Sequence, residues 1–247
     1  MIAGLWGLLA GSALVLGALI GFYAHVPQRV VAAIMAFGAG VLISALSFDL
    51  MDEAYRRGGF VAAAAGFIAG AAVYTVANII LNQRGAKHRK RSGEQQAAEH
   101  KDPGSGLALA VGALLDGIPE SIVIGVSMIG NKGVSAVAVI AVFLSNVPEG
   151  LSSAAGMRKS GRSASYVFSV WGAIALASGI SALAGNLLFR NVRPEITSAT
   201  TATAAGAILA MLADTMVPEA FEYAHDFTGL ITVLGFLCAF VLSKLGG

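Results

Sequence analysis

The sequence predicts an all-α polytopic membrane protein. Of its 247 residues, 56% are hydrophobic and only 12% are charged, whereas soluble domains carry about 25% charged residues. Apolar runs of about 20 residues, the length that crosses a bilayer as a helix, recur along the whole chain. We therefore expect one transmembrane domain over residues 1–247.

Eight apolar runs are predicted to be transmembrane helices. They fall at 3–24, 30–51, 59–82, 106–129, 133–157, 165–188, 199–221 and 228–245. The first run lacks the basic start of a cleaved signal peptide, so we expect it to be retained as a span. A single cysteine excludes an intrachain disulfide, and a net charge of +2 is too small to indicate nucleic-acid binding.

The third connection, residues 83–105, is predicted to be a polar, basic loop on the cytoplasmic side. Its lysines and arginines are expected to face solvent and anionic lipid. With this loop inside, ten of the sixteen lysines and arginines lie inside, six of them in this loop, and the positive-inside rule then places both termini outside. The predicted location is the cell membrane, with multiple passes.

Acidic residues, unlike basic ones, fall within the predicted spans. They are Asp49, Asp116, Glu120, Glu149 and Asp214. An ionised Asp near the centre of a transmembrane helix costs about 2.5–3.5 kcal/mol on insertion scales, and no basic residue is predicted at that depth to pair with these acids. A bound cation would offset the cost, so the pattern predicts a site or path for positive ions.

Two of the spans carry related motifs. In "DGIPES", Asp116 and Glu120 are four residues apart and share one helix face; in "SNVPEG", Ser145 and Glu149 have the same spacing. A proline precedes each glutamate and removes a backbone donor, which predicts that helices four and five are broken within the membrane. Two such helices can enclose one cation. The alternative is a pair of kinked helices whose acids are protonated hydrogen-bond donors.

The chain also contains an internal repeat, in which residues 39–54 align without gaps to residues 205–220. The second and seventh spans run in opposite directions, so the repeat is inverted, a pattern typical of transporters. The arrangement predicted is three spans, two broken spans and three spans. The identical pairs are Ala39/Ala205, Gly40/Gly206, Leu46/Leu212, Glu53/Glu219 and Ala54/Ala220.

The repeat places further acids where ions could enter and leave. The candidate pathway residues are Asp49, Asp52, Glu53, Asp214 and Glu219. The alternative for those near span ends is that they are hydrated acids without a role in transport.

The two motifs, together with "PEA" in the seventh span, resemble the ZIP family of divalent metal transporters over essentially the whole chain. The resemblance implies uptake of zinc, iron, manganese, cadmium or a related cation into the cytoplasm. It also implies a metal site between spans four and five, an elevator-like or rocking movement, and often a homodimer. The metal is a substrate, and no permanently bound cofactor or enzymatic activity is expected.

The resemblance assigns the metal site residue by residue. Glu120 and Glu149 match the paired glutamates of the family, and Asn146 matches a ligand position. Asp116 and Ser145 stand where histidine is common, so the predicted site contains only oxygen ligands. Because imidazole suits zinc whereas carboxylate and amide oxygens suit harder ions, we expect one main site with broad or Mn/Fe-leaning selectivity.

Two other classes of function remain open at this stage. The lost histidines are compatible with a family member that senses metal or acts as a scaffold without transporting it. An intramembrane enzyme acting on lipid is the second possibility. Such an enzyme would need arginines for a phosphate head group, which the sequence does not place at membrane depth.

Overall fold

A computed structural model describes residues 1–90, 105–129 and 136–245, which are helical almost throughout and include no β-strand. The α-helices described are α1 (Ile2–Tyr23), α2 (Gln28–Ala45), α3 (Met51–Leu81), α4 (Ser105–Ser127), α5 (Ala136–Lys159), α6 (Ala164–Phe189), α7 (Pro194–Met211), α8 (Val217–Ala224) and α9 (Thr228–Leu245).

Six helical runs in the described part of the chain are long and apolar enough to cross a membrane, which confirms the predicted class of an all-α membrane protein. Two of them, Gln28–Ala86 and Pro194–Leu245, contain 59 and 52 residues. Since about 20 helical residues span a bilayer, each is long enough for two crossings. The order of eight spans stays a prediction.

Both long runs are interrupted near the middle by a residue with positive φ. Gly59 has φ 73° within α3, and His225 has φ 44° directly after α8. The offset that defines the internal repeat also aligns Gly59 with His225. The repeat therefore extends to the backbone interruption of each half.

The same offset aligns two π-helical turns. They are Leu46–Leu50, between α2 and α3, and Leu212–Met216, between α7 and α8. The hydrogen bonds of a π-helical turn span one residue more than those of an α-helical turn, and such turns are often found at functional sites. Asp49 lies in the first of these turns and Asp214 in the second.

The helices α4 and α5 run on through Pro119 and Pro148, so the predicted breaks at these prolines are wrong. Each proline removes one backbone donor, but α4 packs along α6 and α5 along α1. This packing keeps the turns on either side of each proline in place. The backbone irregularities lie in the π-helical turns instead.

The helices pack in two groups that also touch each other. In the first, α1 lies against α5 and α6, and α4 lies against α6; in the second, α3 lies along α7, and α2 along α8 and α9, while α2 also packs against α5 and α4 against α7 across the groups. The repeat mates Gly40 and Gly206 allow equivalent close contacts in the second group. A Cβ at Gly40 would collide with the carbonyl oxygen of Thr232, and one at Gly206 with that of Phe67.

The connection after α3 departs from the prediction for residues 83–105. A π-helical turn, Asn82–Ala86, is followed by a short turn at residues 87–90, which we call the basic turn. Its Arg89 and Lys90 are 2% and 3% exposed, so the expectation that these side chains face solvent and lipid is wrong. Residues 91–104 of the predicted loop lie outside the described residues.

Candidate cation site between the two helix groups

The predicted ligands from α4 and α5 are all buried. Asp116 and Glu120 are each 1% exposed, and Ser145, Asn146 and Glu149 are at most 3% exposed. Charges on Glu149 and Asp116 act on Glu120, so the three carboxylates share one region. The sequence therefore identified a genuine cluster of buried acids.

Arg89 binds the first of these acids. Its Nε donates to Asp116 Oδ2 at 2.9 Å and its Nη2 to Asp116 Oδ1 at 3.0 Å. Such a two-pronged contact is the strongest geometry available to an arginine and a carboxylate. Tyr74 also donates to Asp116 Oδ1, at 2.8 Å. Both oxygens of Asp116 are thus engaged.

Further contacts fix Arg89 against α3, in the second helix group. Its Nη2 donates to the hydroxyl oxygen of Tyr74 at 2.8 Å, and its Nη1 donates to Asn78 Oδ1 at 2.9 Å. Burial by itself would lower the pKa of the Arg89 guanidinium, but the charge of Asp116 and the hydrogen bonds to it raise that pKa above its usual value. Arg89 is therefore a permanent cation that connects α3 to α4.

Lys90 lies between two carboxylates from different helices. Its Nζ is 3.4 Å from Asp116 Oδ2 and 3.1 Å from Glu149 Oε2. The expectation that no basic residue reaches the depth of the acids is wrong for both Arg89 and Lys90. These long side chains turn inward from a polar connection, which local hydropathy assigns to solvent.

Glu120 differs from its two neighbours. Both of its carboxylate oxygens are buried, and neither has a hydrogen-bond partner among the described residues. Glu120 lines a small cavity of about 20 Å³ whose other lining residues are apolar, which is room for about one water-sized occupant. Because an unpaired buried carboxylate is costly, Glu120 is the acid most in need of a cation.

The two remaining predicted ligands are also buried in α5. Asn146 donates through Nδ2 to the carbonyl oxygen of Ala10 at 2.9 Å, which orients its amide. Its Oδ1 has no hydrogen-bond partner in the described part of the chain. Ser145 donates to the carbonyl oxygen of Val142 at 2.9 Å. Asn146 thus offers a second uncommitted oxygen, besides those of Glu120.

Within the described residues, no three side chains of His, Cys, Asp or Glu converge closely enough to hold a metal ion. Nitrogen atoms of Arg89 and Lys90 lie instead at oxygens of Asp116 and Glu149. The assignment of metal ligands stays a prediction.

Of the candidate pathway residues, Glu219 is the one placed against the basic turn. It is fully buried, and the Ser152 hydroxyl lies 3.1 Å from Glu219 Oε1. The same hydroxyl is within hydrogen-bond distance of the carbonyl oxygen of Lys90. Ser152 was not predicted, because a serine within an apolar helix carries no distinguishing sequence signal.

Asp214 is connected to the site indirectly. Its Oδ2 accepts from Asn78 Nδ2 at 3.2 Å, and the other end of the Asn78 amide accepts from Arg89. Asp214 is exposed. A chain of hydrogen bonds therefore runs from the surface at Asp214 to the buried carboxylate of Asp116.

The other pathway candidates are not brought to the site by any contact described. Asp49 is half-buried and accepts from Ser243 at 2.8 Å. Asp52 and Glu53 form ion pairs within α3, with Arg56 and Arg57 respectively. The first pair is exposed and the second is partly buried; pairs one helical turn apart near the surface contribute little to stability.

Comparison with known protein families and with curated proteins finds no match for this chain.

Proposed function

We propose that the protein carries divalent cations of the Zn/Mn/Fe/Cd class across the cell membrane into the cytoplasm, in the manner of the ZIP family it resembles. The observation that carries the proposal is the buried Glu120 carboxylate, which has no hydrogen-bond partner among the described residues and lies in one region with Asp116 and Glu149. Ionisable residues at membrane depth are rare and typically mark ion pathways. Here three buried acids come from α4 and α5.

The position of Lys90 supports a cation site at this place. An ammonium nitrogen 3.1 Å from Glu149 and 3.4 Å from Asp116 occupies a point that a small cation could take. The uncommitted oxygens of Glu120 and Asn146 are the further ligands that the resemblance to the ZIP family assigns. Since all of these are oxygens, the proposed selectivity is broad or leans toward manganese and iron rather than zinc.

The packing supports a moving-bundle mechanism. Asp116 and Glu149 lie on the helix group of α1, α4, α5 and α6, whereas Tyr74, Asn78 and Glu219 lie on the other group. A shift of one group against the other would change access to the site. The proposed topology is eight spans in a 3+2+3 inverted repeat, with residues 83–105 and the substrate exit on the cytoplasmic side, both termini outside, and a homodimer as the assembly.

A second candidate is a metal sensor or scaffold that binds without transport. It is favoured by one observation, the firm attachment of Arg89 to Asp116, which would resist repeated opening of the site. The hypothesis of an intramembrane lipid enzyme needed a buried arginine, and Arg89 is one. That arginine is committed to Asp116, Tyr74 and Asn78, so this class remains the weakest of the three.

Uptake into liposomes holding the purified protein tests the proposal. Zn²⁺, Mn²⁺, Fe²⁺, Cd²⁺ and Mg²⁺ are supplied in parallel, and we expect saturable uptake that the double substitution Glu120→Gln/Glu149→Gln abolishes. The matched control is Glu195→Gln/Asp226→Asn, which removes the same charge from exposed positions and should leave uptake unchanged. Binding without uptake would favour the sensor, and neither binding nor uptake by folded protein would refute both.

A further inference from the structure

The two buried cations of the basic turn, Arg89 and Lys90, are held differently. Arg89 makes hydrogen bonds to Asp116, Tyr74 and Asn78, and its backbone N–H donates to the carbonyl oxygen of Ala86 at 3.1 Å. Among the described residues, Lys90 Nζ has only two contacts, with Glu149 Oε2 at 3.1 Å and with Asp116 Oδ2 at 3.4 Å. Arg89 is thus the more firmly held of the two side chains, and Lys90 has fewer contacts to lose.

The charges at the site distinguish a divalent from a monovalent replacement for Lys90. Asp116, Glu120 and Glu149, when ionised, carry one more charge than Arg89 and Lys90 together. A divalent ion in place of the ammonium adds one positive charge and balances these groups. A monovalent ion leaves the excess negative charge unchanged and also forfeits the contacts of a tethered ammonium.

A metal ion and the Lys90 ammonium would compete for the same oxygen of Glu149. Oxygen ligands lie about 2.0–2.6 Å from divalent ions such as Mg²⁺, Ca²⁺ and Zn²⁺, whereas Lys90 Nζ already lies 3.1 Å from Glu149 Oε2. A metal ion on that oxygen would lie within a few ångströms of the ammonium, and two positive charges that close repel each other in a buried site. This repulsion favours alternation of the metal and the Lys90 side chain.

We propose that Lys90 is a tethered competitor of the substrate cation and sets the preference of the site for divalent over monovalent ions. Arg89 stays on Asp116 and holds the turn in place while Lys90 withdraws. The uncommitted oxygens of Glu120 and Asn146, together with Glu149, then bind the metal. This inference rests on the proposed transport function and assigns a specificity-determining residue to it.

Reaction of lysine amines with a water-soluble acylating reagent, read by mass spectrometry of the full-length protein in nanodiscs, tests the alternation. Lys87 is the internal control, because it belongs to the same turn and is exposed. In metal-free protein we expect Lys87 to react and Lys90 to be protected. Mn²⁺ should raise the reaction of Lys90 toward that of Lys87, whereas K⁺ at matched ionic strength should not.

Four results would overturn the inference, and they separate it from the proposed function. Equal reaction of Lys90 and Lys87 without metal would show that the turn is not held in the site. Protection of Lys90 at Mn²⁺ concentrations that saturate uptake would refute the alternation while transport stands. A rise in the reaction of Lys90 caused by K⁺ would refute the proposed preference of the site for divalent over monovalent ions. Absence of both uptake and any Mn²⁺ effect would refute the inference and the proposed function together.

Binding of Mn²⁺ to substituted protein gives an independent measurement. Lys90→Gln removes the competitor, so Mn²⁺ should bind about tenfold tighter, the lower end for loss of one contact between charged groups, and K⁺ should begin to compete. Lys90→Arg keeps the charge and should retain discrimination against K⁺, and Lys87→Gln should behave as the unsubstituted protein. Unchanged affinity and K⁺ sensitivity in folded Lys90→Gln protein would contradict the proposal.

Discussion

Arg89 and Asp116 form a two-pronged ion pair in which the side chains are 2% and 0% exposed. The arginine comes from a polar connection and the aspartate from the middle of α4. Breaking such a buried pair by removing one partner leaves an uncompensated charge and typically costs about 3–5 kcal/mol. The pair therefore fixes both the position of the basic turn and the charge balance of the site.

We expect Arg89→Gln and Asp116→Asn each to destabilise the protein by about 3 kcal/mol or more. The double substitution should cost less than the sum of the two, because neither charge is then left alone. Unfolding in detergent micelles, analysed as a double-mutant cycle, measures this coupling. Lys87→Gln serves as the control for loss of a cation from the basic turn, and additive effects would show that the two side chains do not interact.

Glu120 and Glu149 should respond in opposite ways to loss of charge. Glu120→Gln replaces a buried carboxylate, which has no hydrogen-bond partner among the described residues, by a neutral amide of the same shape. Because burying a charge costs more than burying a neutral polar group, the substitution should stabilise the protein. Glu149→Gln removes the nearer carboxylate partner of Lys90 and should destabilise the protein. Both substitutions should abolish metal uptake, so comparing unfolding midpoints with uptake separates stability from function. Destabilisation by Glu120→Gln would mean that this carboxylate has a favourable partner.

His225 adopts φ 44° and ψ −117°, a conformation that glycine adopts easily and other residues seldom do. Strain of this kind costs about 1–3 kcal/mol. His225→Gly should therefore raise the free energy of unfolding by about 1 kcal/mol after the added flexibility of the unfolded chain is included. Gly59→Ala, at the equivalent position of the first half, should lower it. Thermal unfolding of both variants tests the prediction, and a destabilised His225→Gly would point to a side-chain role for this histidine.

The proposed orientation predicts which cysteines a membrane-impermeant thiol reagent can reach on intact cells. In a Cys238→Ser background, Arg56→Cys should react because its connection is proposed to lie outside. Lys159→Cys should react only after the cells are opened. Both positions are exposed, so accessibility within the protein does not bias the comparison. The reverse labelling pattern would place both termini in the cytoplasm.

Much of the fold follows from local sequence properties. The apolar runs predicted helices close to the observed ones, because the length and hydropathy of a transmembrane helix are set by the bilayer and not by its neighbours. The burial of Asp116, Glu120 and Glu149 was predicted from their position within apolar runs. The same position did not predict the exposure of Asp214 and the partial exposure of Asp49.

The rest of the site depends on contacts between distant parts of the chain. Arg89 and Lys90 lie in a connection whose composition indicates solvent, and only the excess of buried acids signalled that cations must reach them. Pro119 and Pro148 led to a prediction of broken helices, whereas the structure has continuous ones. Loss of one backbone donor interrupts an isolated helix more readily than a helix packed along its length. The packing of α4 and α5 depends on other helices and could not be predicted from the residues of α4 and α5 alone.

The paired irregularities of the backbone bear on the ancestry of the chain. Hydropathy would be satisfied by straight helices, so nothing about the bilayer requires a π-helical turn or a positive φ at matching places in both halves. Their recurrence at one offset is the mark of a duplicated segment that already had them. The side chains then diverged, since glycine occupies one interruption and histidine the other, while Asp49 and Asp214 came to lie at different places within equivalent turns. Backbone shape thus repeats between the two halves at places where the side chains do not.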